Sequence, residues 1–340
     1  MNNLRRCDCI ARSMLSAAVL LISFPTYADT IYVSSYVNHS VLQFMPDGVG
    51  SVFAGSGLSY PFGLAFDRAG NLYAANGGNN TISKITPGGT VSVFAADPGN
   101  HSLLYDPFGL AFDRSGNLFV ANLYSSSIVK FTPDGAGSVF VPPSFGLSFP
   151  EGLAFDAAGN LFVADDFNNR IVKFTPEGVG SVFTTSGLSQ PRGLAFDNAG
   201  NLFVANAWDN TIVKFTPEGI GSVFANSGLS RPYDIEFDSM GNLYAASYSG
   251  PTIVKFTPDG IGSVFATVPY GPTGLAIQVI PEPSIDVMLG LGISALLAFH
   301  RRETRTPRST PPNPAAPGNG AMTSVFRIEH PCRTVPEQRR

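Results

Sequence analysis

Few residues of this 340-residue chain combine the type and the placement that chemistry needs. Glu151 and Arg192 each follow the opening proline of a recurring motif, in consecutive copies, where the other copies carry Phe62, Phe108, Tyr233 and Thr273. An acid beside a base at one repeated position breaks the symmetry that a repeat imposes, and functional sites concentrate such departures. Each copy also ends its second apolar run on a polar residue: Ser35, Asn76, Asn122, Asp165, Asn206 or Ser247. Within two positions, five of the six copies then place an aromatic: Tyr36, Tyr124, Phe167, Trp208 and Tyr248. Aromatic faces beside amides and carboxylates suit sugars, which present C–H faces to stack and hydroxyls to bond. The alternative is structural, with the aromatics capping or packing between repeats and the polar residues serving turns. Of the histidines, His300 and His330 lie beyond the repeats and His39 falls in a turn. His101 occupies the longest connection between copies, 95–106, where a lid would sit.

The elements that must position these residues are short strands. The stretch 191–231 holds four runs rich in Val, Ile, Phe and Thr, at 193–196, 202–205, 211–215 and 222–225. Turn residues separate them: Asp197 to Asn201, then Asp209-Asn210, then Pro217-Glu218-Gly219. No run is long enough for a helix, so the unit reads as a four-stranded antiparallel meander. Its opening proline recurs at Pro61, Pro107, Pro150, Pro191, Pro232 and Pro272, at intervals of 46, 43, 41, 41 and 40 residues. Four strands repeated near every 40 residues mark a propeller.

Five copies are complete. Ahead of them, 31–35, 40–44 and 51–54 match only the second, third and fourth strands, and 274–277 at the far end match only the first. Complementary fragments at the two ends imply a sixth blade closed by strand pairing between them, which also removes edges open to aggregation. The expected fold is therefore all-β: a six-bladed propeller over 29–280. The turn between second and third strands shares a face with the entry to the innermost strand. Glu151, Arg192, Tyr233, the polar ring and the aromatics would thus share one mouth of the channel. The first-turn acids Asp67, Asp113, Asp156, Asp197 and Asp238 recur in step with the repeat and read as scaffold.

The consensus P-x-G-L-A-F-D-x-x-G-N-L-F-V-A-N-x-x-x-N-x-I-V-K-F-T-P-[DE]-G resembles the NHL-repeat propellers, and is similar to the streptogramin-lyase-like and gluconolactonase-like propellers. The resemblance covers 31 to about 278. It is specific for fold rather than function, because this architecture hosts binding modules, lyases and lactonases alike. The lyases and lactonases rely on a channel histidine or on a metal held by acidic and amide groups. The resemblance thereby implies His101 and Glu151 as catalytic candidates, and Glu151, Asp165 and Asn206 as oxygen ligands suited to calcium or magnesium.

The chain ends read as addresses. Arg5, Arg6 and Arg12 precede a short apolar run at 14–24, and Thr26-Tyr27-Ala28 supplies small residues for cleavage, so 1–28 is expected to be a secretory signal peptide. At the other end Pro281-Glu282-Pro283, an apolar run at 285–299 and His300-Arg301-Arg302 resemble a PEP-CTERM sorting signal over 281–302. That resemblance implies exosortase-type machinery as a partner, transient or C-terminal membrane association, and the outer surface or extracellular matrix of a Gram-negative bacterium as the destination. The apolar run is short for a bilayer span of about 20 residues. Residues 303–340, rich in Pro, Arg and Thr, continue past the usual end of such a signal and read as a disordered tail. Cys7, Cys9 and Cys332 all lie outside the propeller, so burial rather than disulfides must hold it. Residues 29–280 carry ten basic against nineteen acidic residues, which opposes nucleic-acid binding. The expected activity is that of an exported binding or matrix module for exopolysaccharide or another surface component. A metal-dependent lactonase- or lyase-like enzyme and a protein scaffold are the alternatives.

Overall fold

Asp and Gly at the turns, with β-branched and aromatic residues between them, fold each repeat into four strands. In the repeat opened by Pro191 these are Pro191–Phe196, Leu202–Asn206, Thr211–Phe215 and Gly221–Ala225. The computed structural model describes residues 29–278 apart from Pro98, so the expected signal (1–28), sorting segment (281–302) and tail (303–340) lie outside the described residues. Six four-stranded antiparallel sheets form the ring. Blades are numbered here from one at Pro61 to six at Pro272. The innermost strands start two residues earlier than the apolar pattern suggests. Their prolines pair with the ends of the second strands, Pro191 with Asn206 for example, and a first-position proline has no ladder bond to lose.

Blade six closes the ring as expected. Pro272–Gln278 lies innermost, followed by Thr30–Ser35, Ser40–Phe44 and Gly50–Ala54. Ile31 pairs with Ile277, Tyr32 with Ala276 and Val33 with Leu275. Every second strand is buried along its length, whereas the outer strands expose their first residues. Adjacent blades lock through edge-to-face aromatics. Phe119 of blade two meets its own Phe140 at 5.0 Å and Phe155 of blade three at 5.1 Å, and Phe162 repeats this with Phe183 and Phe196. Each such pair adds about 0.5–1.5 kcal/mol beyond its buried area.

Two features of the inner strands shape the channel. Each carries a register shift just after its proline, so residues 62, 108, 151, 192 and 233 lie in a bulge at the mouth. Bulges re-aim side chains in this way. The next residue is glycine in five blades because inner strands nearly touch there. A Cβ on Gly109 would run into the Glu151 carbonyl, and one on Gly152 into that of Arg192. Blade five alone has a side chain at this position, Asp234, whose carboxylate accepts from the Leu275 N–H of blade six at 2.8 Å.

Candidate functional site

A bowl of about 570 Å³ opens at the channel mouth. Aromatic side chains make most of its wall: Tyr36 from blade six, Phe62 and Phe108 from the bulges, Tyr124 and Phe167 from turns, Tyr233 and Tyr248 from blade five. Phe62 stacks on Phe108 at 4.4 Å and Tyr233 on Tyr248 at 4.5 Å. The connections leading into blades two and three are the longest in the ring, and they bring in Tyr105, Asp106 and Phe149.

The floor is charged. Arg192 lies with its guanidinium carbon 4.0 Å from the Tyr233 ring centre. It reaches Glu151 at 3.3 Å and Asp166 at 3.5 Å. The two acids are 2 % and 1 % exposed, and three of their oxygens have no hydrogen-bond donor: Oε2 of Glu151 and both oxygens of Asp166. Burial pushes the Glu151 carboxyl up to about 8, against the pull of Arg192 and reinforced by Asp166. Burial also raises Asp166, with Arg192 opposing. Asp106 rises to about 6 through burial alone. Below the floor a narrow channel continues past Asp234 and Glu236.

Of the residues expected from sequence, the structure gathers Glu151, Arg192, Tyr233, Tyr36, Tyr124, Phe167 and Tyr248 around this bowl. The polar ring is placed differently. Asn76 accepts from the Ser59 N–H, Asn122 from Tyr105, Asp165 from Ser148 and Asn206 from Ser189, each holding the connection that leads into its own blade. These residues set the aromatic wall and do not line it. Asn122→Ala is expected to cost about 1–3 kcal/mol, because the Tyr105 N–H loses its acceptor; thermal denaturation of the variant reads this directly. Trp208 is 68 % exposed and does not line the bowl. His101 stacks on Tyr105 at 4.2 Å within the 97–106 connection, with Nδ1 3.8 Å from Asp97, and likewise does not line the bowl. The Nδ1 of His39 accepts the Tyr60 N–H at 3.0 Å, the duty that Asn169 and Asn210 perform for Gln190 and Arg231.

The ligand set implied for a metal does not assemble. Asp165 is engaged by Arg170 Nε at 2.6 Å, Asn206 by the Gly187 carbonyl and Glu151 by Arg192. Among the described residues no group of three or more His, Cys, Asp or Glu could hold an ion. The structure adds residues that the sequence reading passed over. Asp166 is the only charged residue at its position, where other blades carry Tyr36, Gly77, Leu123, Ala207 and Tyr248. Asp234 and Glu236 replace the Gly and Ala of the inner-strand motif. The symmetry-breaking signal was present at both places. The first-turn acids do serve the scaffold: Asp197 accepts from the Ala199 and Asn201 N–H groups and pairs with Lys214 at 3.4 Å.

Solved structures share the architecture. A chain of a nidogen/laminin complex aligns at a TM-score of 0.65 with 19 % identity, over 74 % of this chain and 98 % of that one. A catalytically inactive variant of virginiamycin B lyase from Staphylococcus aureus, crystallised with quinupristin, gives 0.58 and 18 %, over 74 % and 92 %. A streptogramin B lyase gives 0.59 and 19 %, over 72 % and 82 %. At such identities the likeness is one of fold. No curated protein matches at a significant level. The sequence itself is more specific: residues 30–280 match the virginiamycin B lyase family, and the chain belongs to it.

Proposed function

We propose that the chain is an exported carbohydrate-binding propeller that takes a surface glycan in the bowl at its channel mouth. The observation that carries this is the bowl itself, an aromatic wall over a floor of buried, incompletely bonded polar groups. Stacking surface and directional polar groups are what a sugar ring requires. The export and sorting segments read from the sequence put such a module where exopolysaccharide is found. One observation favours an enzyme of the lyase or lactonase type instead: Glu151 and Asp166 bring buried, incompletely bonded carboxyls to a cavity, in a family named for a lyase.

The test is a glycan array that includes bacterial exopolysaccharides, probed with the purified protein. Specific binding is expected to fall about tenfold, some 1.4 kcal/mol, in Tyr124→Ala or Phe167→Ala. Trp208→Ala, outside the bowl, is expected to leave it unchanged. Consumption of quinupristin or of a lactone, with no glycan bound, would replace the module by an enzyme.

A further inference from the structure

The bowl gathers more carboxyl groups than its one lining guanidinium can pair. Asp106, Glu151 and Asp166 line it, and Arg192 is the only basic residue that does. The guanidinium is committed, stacked on Tyr233 and shared between two acids. Both Asp166 oxygens stay without a donor although the residue is 1 % exposed. An anionic ligand would meet three carboxyls, and the Asp166 oxygens call for donors that the protein does not supply. A cation answers both conditions, since aromatic faces attract cations as well.

Resting on the glycan-binding reading, we propose that the ligand carries a protonated amine, as an amino sugar does, and that its ammonium group is held by Asp166 and Glu151 under the aromatic wall. The groups facing these acids are each other, Arg192, the neighbouring Asp165, Arg231 and Tyr233. Without ligand, burial lets Glu151 keep its proton near neutral pH and raises Asp166 as well. An incoming ammonium displaces the Glu151 proton, so binding releases a proton and strengthens with rising pH until the ligand's own ammonium begins to lose its proton.

The probes are glucosamine oligomers and their N-acetylated counterparts, equal in ring geometry but charged and neutral. Calorimetry on the whole protein at pH 6.5 is expected to give at least tenfold tighter binding of the amine form. Buffers of different ionisation enthalpy should reveal the released proton. Asp166→Asn should lower amine binding about tenfold and leave the acetylated oligomer unchanged, with its melting curve confirming the fold. Equal or better binding of the acetylated oligomer would overturn the inference and leave the glycan reading standing. Amine binding indifferent to Asp166→Asn would also overturn it, as the general attraction of a polycation to an acidic protein. Failure of both oligomers here and of every glycan on the array would remove both readings.

Discussion

Glu236→Gln is expected to raise the melting temperature by about 5–10 °C at pH 9 and to change it little at pH 5. Glu236 stands in the central channel, where the other inner strands carry Ala65, Ala111, Ala154, Ala195 and Ala276. Burial pushes its carboxyl up to about 8, and nearby Asp234 adds to the rise. Asp234 is itself pushed to about 7 by burial, against the N–H bonds it receives from Leu275 and Ile235. A raised carboxyl means that the folded state holds the proton more tightly than the unfolded chain. The protonated form's stability is therefore full below the unfolded value near 4.5 and is lost as pH rises toward the folded value near 8. Each unit of that interval costs up to about 1.4 kcal/mol, and hydration through the channel reduces the total to about 2–4 kcal/mol. Glutamine keeps the shape and never ionises. Melting curves of both proteins across pH 5–9 decide it: a difference independent of pH would mean that the carboxyl is solvated like any surface acid.

Arg192→Met is expected to destabilise the propeller by about 3–5 kcal/mol at pH 8, the cost of leaving a buried charge without its partner. Methionine retains most of the stem that packs on Tyr233 but gives Glu151 and Asp166 nothing to face. Burial raises both acids, so acid should relieve the variant, with the loss shrinking to about 1 kcal/mol near pH 4.5. Adding Glu151→Gln and Asp166→Asn should recover most of the stability at pH 8, and the coupling follows from a mutant cycle. An equal loss at both pH values would assign Arg192 a packing role only.

The legible part of the site was what the repeat writes at matching positions: the residues after the opening prolines and the turn aromatics Tyr36, Tyr124, Phe167 and Tyr248. Glu151 and Arg192 follow consecutive opening prolines, and their contact at 3.3 Å follows from blade adjacency alone. Asp166 was missed because it sits beside Asp165, in a row of amides and hydroxyls that looked like the functional ring. That ring turned out to bind backbone N–H groups of the connections. Asp234 and Glu236 were equally visible as substitutions in the inner-strand motif, but which face of a strand lines a channel is not evident from pattern when both faces are apolar.

The sequence by itself determined the four-stranded unit, the six blades and the closure of Thr30–Ser35 on Pro272–Gln278. These depend on turn residues, strand period and pairing between neighbours, all local chemistry repeated every 40 residues or so. Only the tertiary structure decided which side chains meet at the mouth. Asp166 shares its position with Tyr36 and Tyr248 and enters the bowl; Tyr124 and Phe167, one residue further on, line its rim. Trp208, equivalent to those two, does not line it. The reason is geometric. These residues lie in turns, where no strand period fixes a side chain's direction, and the connections of other blades decide what stands beside it.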